Sequence, residues 1–213
     1  MYGDLMERAI YNALFAAQSP DGRRIRYYTP IEGPRKYFDP DTYCCPNNFR
    51  RIMSELPEMI WYRTTDGFLL NLFSESVLKS SSPNGIGVQL NIHTDYPSEG
   101  RIEIEVVPDQ PCEFSIDVRI PRWCRAPRAY INGTQTDRAI DPGSFYRIAK
   151  VWKPGDTIEL NFPMPVRMIA GRKAQTGRAA FMRGPSVFSL NTGRKSTLNS
   201  RDTKLIIVDP SSA

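Results

Sequence analysis

The chain has 213 residues, 40% hydrophobic and 24% charged, with 28 Lys and Arg against 23 Asp and Glu for a formal net charge of +5. This is the composition of a folded globular protein, long enough for one large or two small domains, and not of a disordered segment. No apolar run approaches the roughly 20 residues of a membrane-spanning helix, and Asp4 and Glu7 near the start break the basic-then-apolar form of a signal peptide.

Leu5, Met6, Ala9, Ile10, Ala13, Leu14 and Ala17 recur at a helical period, and Ser19-Pro20-Asp21-Gly22 then signals a turn. The spacing predicts one helix over 2–17, amphipathic enough to need a partner surface. Ile25 to Tyr28 alternates like a short extended segment. A polar stretch rich in Pro and Gly, Glu32 to Pro40, leads to adjacent Cys44 and Cys45. A second helix is expected from Asn48 to Trp61, with Pro57 marking a kink, a break or a new first turn. Asn48 reads as its N-cap, which would place both cysteines in the approach to a helix N-terminus. There the dipole favours thiolate, the nucleophilic and metal-binding form of cysteine.

The adjacent cysteines alone leave two readings open, buried apolar thiols or a site. A disulfide between neighbours is strained, and no CxxC or HxxxH pattern stands near to complete the four ligands of a zinc site.

From Asp66-Gly67 the pattern changes to period two. Strands are expected over 68–73, 87–92, 101–107, 112–120, 129–131, 144–151, 157–162 and 181–190. Turn signals separate them, Asn132-Gly133 being the strongest hairpin signal. Short antiparallel strands at this spacing read as a sandwich. Ser80 to Ser82 reads as a loop. Cys112 and Cys124 either pair or stay as buried thiols, and the single histidine, His93, reads as structural. The basic residues Arg119, Arg122, Arg125 and Arg128, and Arg167, Arg172, Lys173 and Arg178, form clusters. They come without a groove-reading helix or an aromatic stacking platform, so a solvated basic face is preferred to nucleic-acid binding.

Several motifs in series carry a resemblance: Met6-Glu7-Arg8-Ala9-Ile10-Tyr11-Asn12-Ala13-Leu14, Tyr27-Tyr28-Thr29-Pro30, Tyr43-Cys44-Cys45-Pro46-Asn47-Asn48 and Asp66-Gly67-Phe68-Leu69-Leu70-Asn71-Leu72-Phe73. Thr94-Asp95-Tyr96-Pro97, Arg119-Ile120-Pro121-Arg122-Trp123, Ile131-Asn132-Gly133, Trp152-Lys153-Pro154-Gly155-Asp156 and Arg183-Gly184-Pro185 follow in order. From Tyr2 to about Asn191 the chain resembles the bacterial β-L-arabinofuranosidases, glycoside hydrolases with a zinc-thiolate active site; the Cys-Cys-Pro-x-Asn segment is the most specific piece.

The resemblance implies a mainly β fold, an antiparallel β-sandwich preceded by the last helices of an (α/α)6 barrel catalytic domain. It implies a division at 1–65, a remnant of the barrel carrying the Cys-Cys motif, and 66–213, the sandwich region. Cys44 resembles the nucleophile and a zinc ligand, Cys45 the companion zinc ligand, and Tyr27, favoured over Tyr28 by its spacing to Pro30, the substrate-contacting tyrosine. The family's further zinc ligands, a glutamate and a cysteine from a Glu-x-Cys segment, have no counterpart before Cys44, where Glu7 and Glu32 are the glutamates and there is no cysteine or histidine. The chain is therefore expected to be a fragment or a shortened reading frame, and the general acid/base residue stays unassigned.

The implied chemistry is retaining hydrolysis in which a thiolate takes the place of the usual nucleophilic carboxylate. The implied partner is a carbohydrate, with no nucleic acid and no membrane expected and a homo-oligomer left open. The sequence leaves open the compartment, cytoplasmic or periplasmic in a bacterium, and the identity of the sugar. A different class stays in view: a non-catalytic carbohydrate-binding or scaffolding module, using Trp123, Tyr130, Tyr146 or Trp152 against sugar rings. A third expectation is an inactive remnant, given two helices with apolar faces to cover.

Overall fold

The computed structural model describes residues 2–19, 21–27 and 44–188. The described residues divide into two compact units, one running to Pro165 and including Gly184–Ser186, the other made of Val166–Arg183 with Val187 and Phe188.

Within the first unit the strands form two sheets. One has the order β1 (Trp61–Arg63), β2 (Gly67–Leu70), β6 (Cys112–Arg119), β9 (Phe145–Trp152). The other runs β3 (Ser76–Ser81), β4 (Gly87–Thr94), β5 (Arg101–Pro108), β10 (Asp156–Asn161), β7 (Arg128–Ile131), β8 (Thr134–Gln135). Every pairing is antiparallel except β2 with β6, which run parallel with Gly67 opposite Ser115 and Leu70 opposite Val118. Alternation sends one set of side chains from each sheet into a shared core. Phe68, Leu70, Phe114, Ile116, Val118, Ile148 and Trp152 come from one side, and Val88, Leu90, Ile92, Ile102, Ile104, Val106, Ile158 and Leu160 from the other. The fold is mainly β with antiparallel sheets packed on one core, as the period-two pattern requires.

Asn132 and Gly133 connect β7 to β8 with φ of 50° and 78°, the left-handed pair that a two-residue hairpin turn needs. Cys112 and Cys124 are buried free thiols. Burial pushes the Cys124 thiol up to about 11. His93 is exposed on β4.

Several expected elements are corrected. The serine run is not a loop: Ser80 and Ser81 belong to β3, Ser80 opposite Val88. Ser82 is buried, its Oγ accepting from the Ile86 N–H at 3.1 Å. Serine side chains satisfied in this way sit in a sheet edge as readily as in a turn. The helix expected to reach Trp61 ends earlier. Helix α3 (Cys44–Glu55) gives way to a 3-10 turn, Leu56–Met59, with Pro57 at its start, and Trp61 opens β1 opposite Leu70. Asn48 is no cap: it lies inside α3, where its Oδ1 accepts from Arg51 at 3.2 Å. The expected strand 181–190 divides into β12 (Ala179–Arg183) and β13 (Ser186–Val187), with Gly184 at φ 54° between them; its last two residues lie outside the described residues. Strand β11 (Val166–Ala170) pairs with β12 in the second unit and shows no alternation in burial, so its sequence gave no period-two signal.

The N-terminal helical run is α1 (Tyr2–Ala9), a π turn (Ile10–Leu14) and α2 (Phe15–Ala17). Its orientation differs from the apolar pattern. Leu5, Ala9 and Ala13 are exposed, while Glu7 and Ile10 are buried. The helix turns a carboxylate toward the sheet, and the reason lies in what faces it.

Candidate active site

Cys44 and Cys45 occupy the first described turn of α3, Cys44 exposed and Cys45 half-buried. Their sulfurs stand 3.8 Å apart as free thiols. Burial is the main influence pushing the Cys45 thiol up, reinforced by the hydrogen bond and charge of Cys44. For Cys45 the protein alone therefore works against the thiolate that a helix N-terminus was expected to favour. A bound cation would reverse that balance, because a coordinated thiol is held deprotonated.

Sulfurs each ~2.3 Å from a tetrahedral zinc ion lie about 3.8 Å from each other. The spacing of the two thiols, 3.8 Å, fits half of such a ligand set. Among the described residues no group of three or more His, Cys, Asp and Glu side chains comes together to hold a metal. Glu32 lies outside the described residues. Glu7 does not reach the thiols as a ligand, because its carboxylate is committed elsewhere.

That commitment is a buried polar cluster. Glu7, 1% exposed, accepts from Arg119 Nη2 at 2.7 Å and from the Tyr96 hydroxyl at 2.5 Å through Oε1, and from Trp123 Nε1 at 3.2 Å through Oε2. Arg119 also donates through Nη1 to Asp4 at 3.0 Å. Its guanidinium lies 5.0 Å from the centre of the Phe73 ring. Burial, and then the negative charge of Glu7, push the Tyr96 hydroxyl well above its ordinary range, so it stays a donor. Sequence reasoning passed over this cluster. Glu7 reads as the polar side of an amphipathic helix, and Arg119 reads as one of a basic run. The latent signal was position: Arg119 sits at an alternation point of β6 opposite to Phe114, Ile116 and Val118. Its burial also takes Arg119 out of the basic cluster with Arg122, Arg125 and Arg128.

Tyr27 is 38% exposed, just past the bridge that pairs Gln18 with Ile25. It lies on a different element from the thiols, and the chain between them, residues 28–43, is outside the described residues. Tyr28, the alternative, falls in that span. The aromatics considered for sugar stacking are committed to packing. Trp152 and Tyr146 are buried in the core, Trp123 is half-buried with its N–H given to Glu7, and Tyr130 is half-buried on β7.

Two family models match the chain, one for the GH127 β-L-arabinofuranosidase catalytic domain over residues 1–58 and one for the GH127 β-L-arabinofuranosidase middle domain over residues 67–164. The non-reducing end β-L-arabinofuranosidase of Bifidobacterium longum subsp. longum is 24% identical over 210 residues, an alignment covering 88% of this chain and 31% of that one. Among solved structures, a GH127 β-L-arabinofuranosidase from Geobacillus stearothermophilus T6 superposes with a TM-score of 0.78 at 32% identity, covering 87% of this chain and 32% of that chain. A GH127 β-arabinofuranosidase superposes with a TM-score of 0.79 at 28% identity, again covering 87% of this chain and 32% of that one. The chain thus spans about a third of the length of these relatives.

Proposed function

From the chain's membership of the GH127 β-L-arabinofuranosidase family of glycoside hydrolases, we propose that it forms part of a retaining enzyme that releases β-L-arabinofuranose or a related sugar. In this reading Cys44 is the nucleophile, and Cys44 and Cys45 are two of the zinc ligands. The observation that carries it is the pair of accessible, unbridged thiols 3.8 Å apart at the head of a helix, within the stretch that the catalytic-domain model matches. Zinc, when bound, supplies the positive charge that keeps the sulfurs deprotonated at neutral pH. Cys44 Sγ then attacks the anomeric carbon as the glycosidic oxygen leaves with a proton, and water later displaces the sulfur to restore the thiolate and the original anomeric configuration. Tyr27 would hold the sugar. Glu7 is engaged with Arg119, so in this reading the other ligands and the general acid/base are residues other than Glu7. In this reading the division falls at 65/66, with α1, α2 and α3 in the catalytic domain and the sandwich beginning after it.

The test has two arms. The isolated chain is assayed for zinc and for hydrolysis of an aryl β-L-arabinofuranoside, with little zinc and no turnover expected. The same residues are then placed in a polypeptide of family length, where stoichiometric zinc and turnover are expected and Cys44→Ser abolishes turnover. Substantial residual activity in that variant rules out Cys44 as the nucleophile.

A further inference from the structure

We infer that Arg119 and Asn71 are positioning residues. Together they form a single node that registers both helical segments, and through α3 the Cys44–Cys45 pair, on the β framework. The two family models split the chain between residues 58 and 67, and the node lies across that split.

Asn71 follows β2 directly. Its N–H donates to the Ile60 carbonyl at 2.8 Å and its side-chain Nδ2 donates to the Met59 carbonyl at 3.1 Å. Those two carbonyls close the 3-10 turn by which the chain leaves α3. The Asn71 carbonyl in turn accepts from Arg119 Nε at 2.6 Å. The other two arms of the same guanidinium reach Asp4 and Glu7 on α1. One planar cation thus addresses three places at fixed angles, a geometry that lysine, with a compact ammonium, does not reproduce.

Gly3 shows how closely α1 is seated. A Cβ there would stand 2.5 Å from Arg119 Cδ and 2.6 Å from Asn71 Oδ1, touching both members of the node at once. Burial makes the arrangement directional. Arg119 is 4% exposed and Glu7 is 1% exposed, so a shift of α1 that parts them leaves charge without water. The thiols lie at the far end of α3 from this anchor, and a helix of 12 residues is stiff enough to transmit its placement.

The bearing of the node on catalysis rests on the thiol site proposed above; the node itself is tested without it. Amide hydrogen exchange is measured on the full chain and on three variants. Arg119→Lys is expected to raise exchange at least tenfold both in α1 and over residues 56–61, with the strands β4 and β5 unchanged. Asn71→Ala is expected to affect 56–61 and spare α1, and Glu7→Gln to affect α1 and spare 56–61. Ile104→Val serves as a control for general destabilisation and raises exchange in β4 and β5. A uniform rise in all variants overturns the proposal, as does an Arg119→Lys response confined to α1. If Arg119→Lys does not fold, the opposite localisation in the other two variants still decides. The pattern expected here, found in a chain whose family-length form takes up no zinc, would sustain the node and remove the catalytic reading.

Discussion

The sandwich and the helical segments of the first unit are held by different forces. Among the described residues, the buried members of the apolar core lie between Phe68 and Phe162 and none lies in α1, α2 or α3, with Tyr11 of the π turn packed half-buried against it. In the helices the buried set is Ile10 with Glu7, and α3 buries no residue fully. What fixes α1 instead is a buried ion pair with its hydrogen bonds. Apolar burial tolerates small displacements because it is non-directional. A carboxylate with three donors aimed at it does not, because each displaced contact leaves a polar group dry. The contrast separates a region built for stability from a region built for placement.

The widest measurable contrast is thiol reactivity. Cys44 and Cys45 are accessible, whereas Cys112 and Cys124 are buried with thiols pushed up by burial. A colorimetric thiol reagent near pH 8 is expected to titrate the first two in the native chain and the second two only on unfolding, with rates differing by about a hundredfold or more. Four thiols reacting at similar rates would break the contrast.

A second test removes the core of the sandwich. Trp152 is fully buried, with Nε1 donating to the Phe114 carbonyl at 2.9 Å. Trp152→Ala is expected to cost about 3–5 kcal/mol in urea unfolding, and helical signal and strand signal should fall together. Helices that outlast the sandwich in that variant would show that they need no anchor on it.

The smallest effect is electrostatic. Burial pushes Asp156 up, but the Lys153 N–H, Lys150 and Asn132 outweigh it, and the net result holds this carboxyl below the usual range. A depressed folded-state value contributes stability above the unfolded-state value, and that stability is lost as the pH falls through the folded one. Below about pH 4, native protein should therefore lose stability faster than Asp156→Asn. The Asp156 side chain is 11% exposed and its Lys150 partner 32% exposed, and the expected difference is about 1–2 °C in Tm. An equal acid limb in both proteins would remove Asp156 from this account.

Much of the sandwich was legible because burial there follows period two. Val88, Leu90 and Ile92, then Ile102, Ile104 and Val106, announce their strands and their faces. Ser80 and Ser81 did not, since hydroxyls fit turns and edge strands alike, and Trp61 was claimed by a helical pattern that Pro57 had already ended. At the candidate site, the Cys44–Cys45 pair was visible as a motif. The Glu7–Arg119 pair was not, because a pattern of apolar residues reports what water rejects and is silent on charges that satisfy each other. The helix was legible and its orientation was not: Leu5 and Ala13 promised the buried side, and Glu7 took it.

The parallel pairing of β2 with β6 bears on the order in which the chain acquires its structure. Gly67 must find Ser115 across the β3–β4–β5 meander, whose own pairings join strands that are neighbours in sequence. Contacts between sequence neighbours close small loops and form early, while distant ones wait for the intervening chain to condense. The meander is thus expected to assemble first and the β2–β6 pairing late. Asn71 directly follows β2 and Arg119 ends β6, so the seat for α1 and α3 exists only after that late pairing. The helical segments that precede the sandwich in sequence are thus fixed in place after it.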